Sequence, residues 1–209
     1  MFCPHCGAAV PDGTLFCPAC GTGLGPRGAA APLAAPSAGS PLASAAHLVM
    51  VWDKLALSRN YRFEDAAGTV LGEAQAEFAF PLRYTVTDPQ GQVVLVLDGG
   101  RERLLQVAYW VHDANGAVLA TFRVKSSVLS RRYGITVGDV ERYLLWTDAT
   151  GYQYRIEEVG SARVLATAAR AMAVRTSRTQ IDIVDDAELD RRVVLGGMIL
   201  AEWLATHPA

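Results

Sequence analysis

From Tyr61 onward the chain keeps returning to one short phrase. Tyr61-Arg62-Phe63-Glu64-Asp65-Ala66-Ala67-Gly68-Thr69-Val70-Leu71 lines up with Tyr84-Thr85-Val86-Thr87-Asp88-Pro89-Gln90-Gly91-Gln92-Val93-Val94, and again with the stretch Tyr109 to Leu119. Each copy reads tyrosine, alternating residues, Asp-x-x-Gly, then an apolar run. Such a phrase describes a strand, a turn whose Asp accepts backbone N–H groups and whose Gly takes a positive φ, and a returning strand. The copies are 23 and then 25 residues apart, and weaker ones start near Tyr133, Tyr154 and Thr179. Repetition at this period means a meander of hairpins, and six hairpins make about 12 antiparallel strands.

Alternation along the segments predicts strands with one face on a core. Val118, Ala120, Phe122, Val124 and Val128 share one face, while Leu119, Thr121, Arg123, Lys125 and Ser127 take the other. Leu105, Val107, Tyr109 and Val111 follow the same rule. A sheet of this size removes its exposed edges by closing into a barrel, whose interior its own side chains need not fill. The end of the chain supplies a filling. Asp185 and Glu188 stand at capping-box spacing, followed by Val193-Val194-Leu195-Gly196-Gly197-Met198-Ile199-Leu200-Ala201-Glu202-Trp203-Leu204. That run is apolar around most of a helix, as a helix buried on all sides must be. Twelve residues reach about 18 Å, short of a ~30 Å hydrocarbon core, so a helix at about 186–206 threaded through the barrel is expected rather than a membrane span.

The N-terminus obeys different rules. Cys3-Pro4-His5-Cys6-Gly7 and Cys17-Pro18-Ala19-Cys20-Gly21 are two C-P-x-C-G knuckles, and they hold all four cysteines. Their turns aim the thiolates of Cys3, Cys6, Cys17 and Cys20 at one point, a donor set suited to one tetrahedral Zn²⁺. Asp12-Gly13 between them signals a hairpin turn. Four thiolates close the coordination shell, so the ion is structural, His5 is surplus, and metal binding supplies the folding energy of this short segment. Disulfides and a redox dithiol are the rival readings; the start Met-Phe-Cys-Pro-His-Cys has no secretory leader pattern, and the knuckle is duplicated without a βαβ pattern. The expected organisation is a zinc ribbon over 1–25, a flexible Ala/Pro/Gly/Ser linker over 26–46, and a folded domain over 47–209.

With Lys plus Arg at 19, Asp plus Glu at 21 and a net charge of −2, the chain lacks the charge of a bulk nucleic-acid binder. No nucleophile elbow, phosphate loop, zinc-protease motif or dinucleotide fingerprint is present, so no catalytic residue is assigned. His47, His112 and His207 are isolated and read as structural. The carboxylates Asp182, Asp185, Asp186, Glu188 and Asp190 precede the helix, where they suit its N-terminus, and they lack the spacing and glycine of an EF-hand loop. Arginine supplies 17 of the 19 cations. Arg101 with Arg103, Arg131 with Arg132, and Arg170, Arg175 and Arg178 are local clusters whose forks suit phosphate, although acidic neighbours such as Glu102 offset them.

Two resemblances follow. Residues 2–25 resemble the short prokaryotic zinc-ribbon module. Residues 47–206, with their Asp-x-x-Gly hairpins and one C-terminal apolar helix, resemble the tubby C-terminal-like fold of the tubby, phospholipid-scramblase and LURP-one-related families, the last most of all. The resemblance implies a mainly β protein, a closed barrel around a buried helix, with a non-enzymatic role in binding phospholipid or a protein partner. A cytoplasmic place, peripheral at the inner membrane face, goes with it. Scramblase-type lipid translocation is the first alternative. A nucleic-acid-associated regulator acting through the ribbon is the second, weakened because Met1–Gly25 holds no Lys or Arg.

Overall fold

The structure, a computed structural model, describes residues 9, 40–53, 60–77, 82–103, 106–125, 132–148, 150–172, 175–185 and 189–206. The chain divides into two compact units, Met1–Pro32 and Leu33–Ala209. In the first, only Ala9 is described.

The second unit is a closed, wholly antiparallel barrel. A helical turn, α1 (Pro41–Ser44), leads into β1 (His47–Asp53), β2 (Tyr61–Glu64), β3 (Val70–Glu77), β4 (Arg83–Thr87), β5 (Val93–Arg103) and β6 (Gln106–His112). Then come β7 (Val118–Lys125), β8 (Arg132–Val137), β9 (Val140–Thr147), β10 (Gln153–Glu158), β11 (Val164–Met172), β12 (Thr176–Ile183) and the helix α2 (Arg191–Thr206). Neighbours in sequence pair throughout, and β12 pairs with β1 to close the ring, in register from His47↔Asp182 to Asp53↔Thr176. Five of the phrases therefore span a hairpin of their own. The sixth phrase, at Thr179, finds its partner strand at the other end of the domain.

The turns explain the phrase. Asp65 Oδ1 accepts the N–H groups of Ala67 and Thr69 at 2.9 and 2.8 Å. Asp88 does the same for Gln90 and Gln92, and Asp113 for Asn115 and Ala117. Gly68, Gly91 and Gly116 each take φ between +77° and +84°, a region that costs glycine least. The N–H of Thr69, foremost among these donors, holds the Asp65 carboxyl below its usual range. A fourth such turn, Asp148-x-x-Gly151, joins β9 to β10 at the opposite end of the barrel. The other turns of this kind lie at what we call the turn end.

The repeated tyrosine points inward every time. Tyr61, Tyr84, Tyr109, Tyr133 and Tyr154 are all buried, on β2, β4, β6, β8 and β10, and Thr179 is buried at the matching place on β12. The face assignment for β7 also holds at its centre, where Ala120 and Phe122 are buried. Val118 and Val124, placed on that same face, are nevertheless 55% and 48% exposed, because they stand at the two open ends of the strand. Leu119 and Thr121, expected to face solvent, are covered on the outer wall, where Trp110 stands opposite Thr121. Val107 is likewise exposed. Leu105, Ser127 and Val128 lie outside the described residues.

The axis is occupied by α2. Val193, Val194, Leu195, Met198, Ile199, Leu200 and Ala201 are at most 2% exposed; full burial of each large aliphatic chain is worth about 1.5–3 kcal/mol. Because β12 runs toward the turn end, α2 enters there and ends at the opposite mouth. A Cβ on Gly196 would come within 2.4 Å of Val111 on β6, and one on Gly197 within 3.1 Å of Phe122 on β7. Glycine at these positions lets the wall close on the helix. The helix begins later than expected. Asp190, not Asp185, caps it: Asp190 Oδ1 accepts the Arg192 N–H at 2.9 Å, and its carbonyl accepts Val193 N–H. Asp185 instead meets Arg163 Nη1 at 3.0 Å, and Glu188 lies outside the described residues.

The reading of 26–46 as linker overruns the domain. Leu42 and Ala43 of α1 are each 1% exposed, and α1 packs against β3 and α2 at the turn end. Leu42 fits there only because Gly72 has no side chain; a Cβ on it would stand 2.6 Å from Leu42 Cδ2. Composition concealed this contact, since one leucine in an Ala/Pro run carries no periodic signal.

Candidate functional site

Two places in the chain carry chemistry. The first is the cysteine quartet. Cys3, Cys6, Cys17 and Cys20, with His5 and the Asp12-Gly13 turn, lie outside the described residues, so the case for metal rests on the donor set. Four thiolates in two C-x2-C knuckles fit tetrahedral zinc and leave no open position for a substrate or activated water.

The second is a polar centre inside the barrel. Glu202, on the last turns of an otherwise apolar helix, is 1% exposed. Arg170 of β11 lays its Nε 3.1 Å from Glu202 Oε1 and donates the same N–H to Ser177 Oγ at 3.0 Å. Ser177 Oγ stands 3.4 Å from Glu202 Oε1. Tyr154 of β10 places its hydroxyl 3.2 Å from Glu202 Oε2 and 2.6 Å from the carbonyl of Gly151. Thr179 of β12 adds a further hydrogen bond to the carboxyl. Burial pushes the Glu202 carboxyl up, and the Arg170 guanidinium and the surrounding donors pull it back only in part. Burial, and then the nearby Glu202 charge, push the Tyr154 phenol up as well.

This centre exists where the repeat breaks. Five phrases present a tyrosine to the interior; the sixth presents Thr179, and the smaller side chain leaves room for a carboxyl and a guanidinium. Sequence reasoning grouped Arg170 with Arg175 and Arg178 as a headgroup candidate and treated Glu202 as part of an apolar run. The signal that separates them is the missing tyrosine together with a lone acid on a helix predicted to be buried. Chemically the network is a clamp. Its donors converge on Glu202 from three strands, so it fixes the rotation and depth of α2. Removing one partner of such a buried pair costs about 3–5 kcal/mol.

The cluster of Arg170, Arg175 and Arg178 is dispersed by the fold, and the side chains of Arg101 and Arg103 lie outside those described. Arg178 points outward and meets Glu64 Oε2 at 2.9 Å, while Arg62 grips Oε1 of the same carboxylate at 2.8 Å. Val51 lies between those two arginines in register and is shielded by them. These forks already hold an anion, the chain's own Glu64. Arg175 stands exposed at the mouth end, as does Arg132; Arg131 lies outside the described residues. The histidines take structural places: His47 meets Asp182 at 2.7 Å and His112 meets Asp98 at 3.5 Å, with His207 outside the described residues. Among the described residues no helix is long and apolar enough to cross a membrane, and no group of three His, Cys, Asp or Glu is placed to hold a metal.

Comparison with known proteins adds a domain at one end. Residues 2–24 match the zinc-ribbon domain family, so the chain joins a zinc-ribbon domain to a helix-filled, 12-stranded β-barrel. No curated protein matches the chain. Among solved structures, an Arabidopsis thaliana protein determined by X-ray methods is similar at 18% identity, covering 74% of this chain and 91% of its own, with a TM-score of 0.47.

Proposed function

We propose that this chain is a non-catalytic adaptor: a zinc ribbon tethered to a barrel of the tubby-like, LURP-one-related kind that binds membrane phospholipid or a protein partner. The hairpin phrase followed by one buried C-terminal helix supports the family reading. The observation that carries the function is the filled lumen. With α2 along the axis and the wall pressed against Gly196 and Gly197, the barrel's waist is filled by the chain's own side chains, which favours recognition at its outer wall and ends. The Glu202 network fits the same reading, since the carboxyl is engaged by Arg170, Tyr154, Ser177 and Thr179.

In the ribbon, Cys3, Cys6, Cys17 and Cys20 hold the ion, which supplies folding energy and no reactive site. The ribbon is read as a protein-interaction module, its lack of Lys and Arg weighing against nucleic acid. The test is co-sedimentation of the intact chain with phosphatidylcholine vesicles and with vesicles that also contain phosphatidylserine, each at two salt concentrations. Salt-sensitive binding to the anionic vesicles supports the lipid role. Absence of binding to either overturns it and leaves a protein partner, to be sought by capture with and without residues 1–25.

A further inference from the structure

Charge is uneven along the barrel axis. The turn end carries Asp65, Asp88, Asp113, Asp139, Glu158, Asp185 and Asp190 against Arg142, Arg163, Arg191 and Arg192, with Arg163 matched to Asp185 and Arg192 to Asp190. Among the described side chains at the mouth end, Arg83 opens β4, Lys125 ends β7, Arg132 opens β8 and Arg175 precedes β12. The described acids there are Asp53, Glu77, Asp98 and Asp148. Arg83 is engaged with Glu77 and Asp98, and Lys125 with Glu141; Arg132 and Arg175 are exposed.

The lip of the same end is apolar. Val107 and Val124 face the interior on adjacent strands, as their alternation with Tyr109 and Phe122 requires, yet they are 41% and 48% exposed. Met172 shares the inward face of Arg170 and is 52% exposed. Among the described residues, these inward-facing side chains make the end an apolar lip. Trp203 of α2 is only partly buried, edge-on to Tyr109 at 6.4 Å, and Tyr152 in the β9–β10 connection is exposed. Exposed valines also occur at the turn end, among them Val118 and Val140, but there they sit among carboxylates. Charge decides which apolar end can meet an anionic surface.

We propose that the barrel docks end-on to an anionic phospholipid bilayer, with Val107, Val124 and Met172 entering the headgroup region and Arg132 and Arg175 on the rim contacting lipid phosphates. The assignment rests on the lipid reading above and adds the docking face. Basic residues gain from the negative surface potential, apolar lip residues from leaving water, and Trp and Tyr favour that boundary. The axis of α2 then stands away from the membrane, with the acidic turn end farthest from it.

The test uses the intact zinc-loaded chain and vesicles of phosphatidylcholine with and without phosphatidylserine. Three variants are compared with the natural chain: the lip pair Val124→Glu with Met172→Glu, the rim pair Arg132→Glu with Arg175→Glu, and the turn-end control Val118→Glu. The natural chain binds the phosphatidylserine vesicles, each pair weakens that binding about tenfold or more, and the control binds as the natural chain does. If the lip pair lowers the barrel's melting transition, the exposed rim pair decides the matter alone. A control that loses binding as the pairs do, or pairs that bind normally, overturns the docking face while the lipid reading stands. A natural chain that binds no vesicle overturns both.

Discussion

Replacing Gly196 by alanine sets two well-measured effects against each other. In a helix interior, Gly→Ala is worth about 1 kcal/mol of stabilisation from backbone entropy alone. Here the new methyl would stand 2.4 Å from Val111 Cγ2, with Val111 Cγ1 and Cβ at 3.5 and 3.6 Å. Val111 is fully buried and β-branched on a hydrogen-bonded strand, so it can yield only by leaving its rotamer or by moving β6. Overpacking of this kind costs about 1–3 kcal/mol, and a contact so far below van der Waals distance belongs in the upper part of that range. The net expectation is a loss of about 1–2 kcal/mol, or about 2–8 °C in Tm for a chain of this size. Gly196→Leu does far worse. Gly197→Ala is milder, because its methyl meets the edge of the Phe122 ring at 3.1 Å and a ring can tilt. Thermal and urea denaturation followed by circular dichroism measure all three. Adding Val111→Ala to Gly196→Ala vacates the space the methyl needs, so the double variant is more stable than the sum of the singles by about 1 kcal/mol. A rise in Tm for Gly196→Ala, with no coupling to Val111, would falsify the placement of α2 against β6.

The same structure sets four further outcomes. Chelating zinc unfolds residues 2–24, seen as loss of amide dispersion in NMR spectra, while the barrel's melting transition stays where it was; loss of both together refutes the expectation that the two melt independently. Because burial raises the Glu202 pKa in the folded chain, its contribution to stability is fully present below the ordinary glutamate range and is lost as pH rises through the folded value. The stability of the natural chain relative to Glu202→Gln therefore grows on acidification, and the opposite slope in urea titrations at several pH values rejects the assignment. Asp65 has the reverse sign: its pKa is lowered by the turn's N–H groups, so Asp65→Asn destabilises at neutral pH and the difference closes as pH falls through the carboxylate range. Arg170→Met leaves Glu202 without its buried partner and costs about 3–5 kcal/mol, most of it recovered in Arg170→Met combined with Glu202→Leu; equal losses in both refute the clamp.

The barrel was legible because its information is local and repeated. Asp65, Asp88 and Asp113 each write the same turn within five residues, and an inward tyrosine four positions earlier sets the face. Closure and the central helix follow from counting strands and from one apolar run. What escaped the sequence was long-range. Nothing near Thr179 says that β1, more than 120 residues earlier, completes its pair. Nothing near Leu42 says that it fills the space left by Gly72. The true cap, Asp190, was passed over because Asp185 and Glu188 matched a local template, whereas helix entry is set by where β12 ends. Arg170 and Arg178 were close in sequence only; strand alternation sent Arg170 inward to Glu202 and Arg178 outward to Glu64.

The seam between β1 and β12 also has a history in the life of each molecule. During synthesis β1 is made first and its closing partner almost last, with α2 emerging later still. Until then β1 and the growing edge of the meander present unpaired backbone, the situation that invites strand exchange between chains. The ring cannot shut before α2 is in place without trapping an empty lumen, so helix insertion and closure belong to one late step. Loop-closure entropy acts against that step, and the expected product of truncation before Arg191 is an open sheet exposed to chaperones and proteases rather than a smaller barrel.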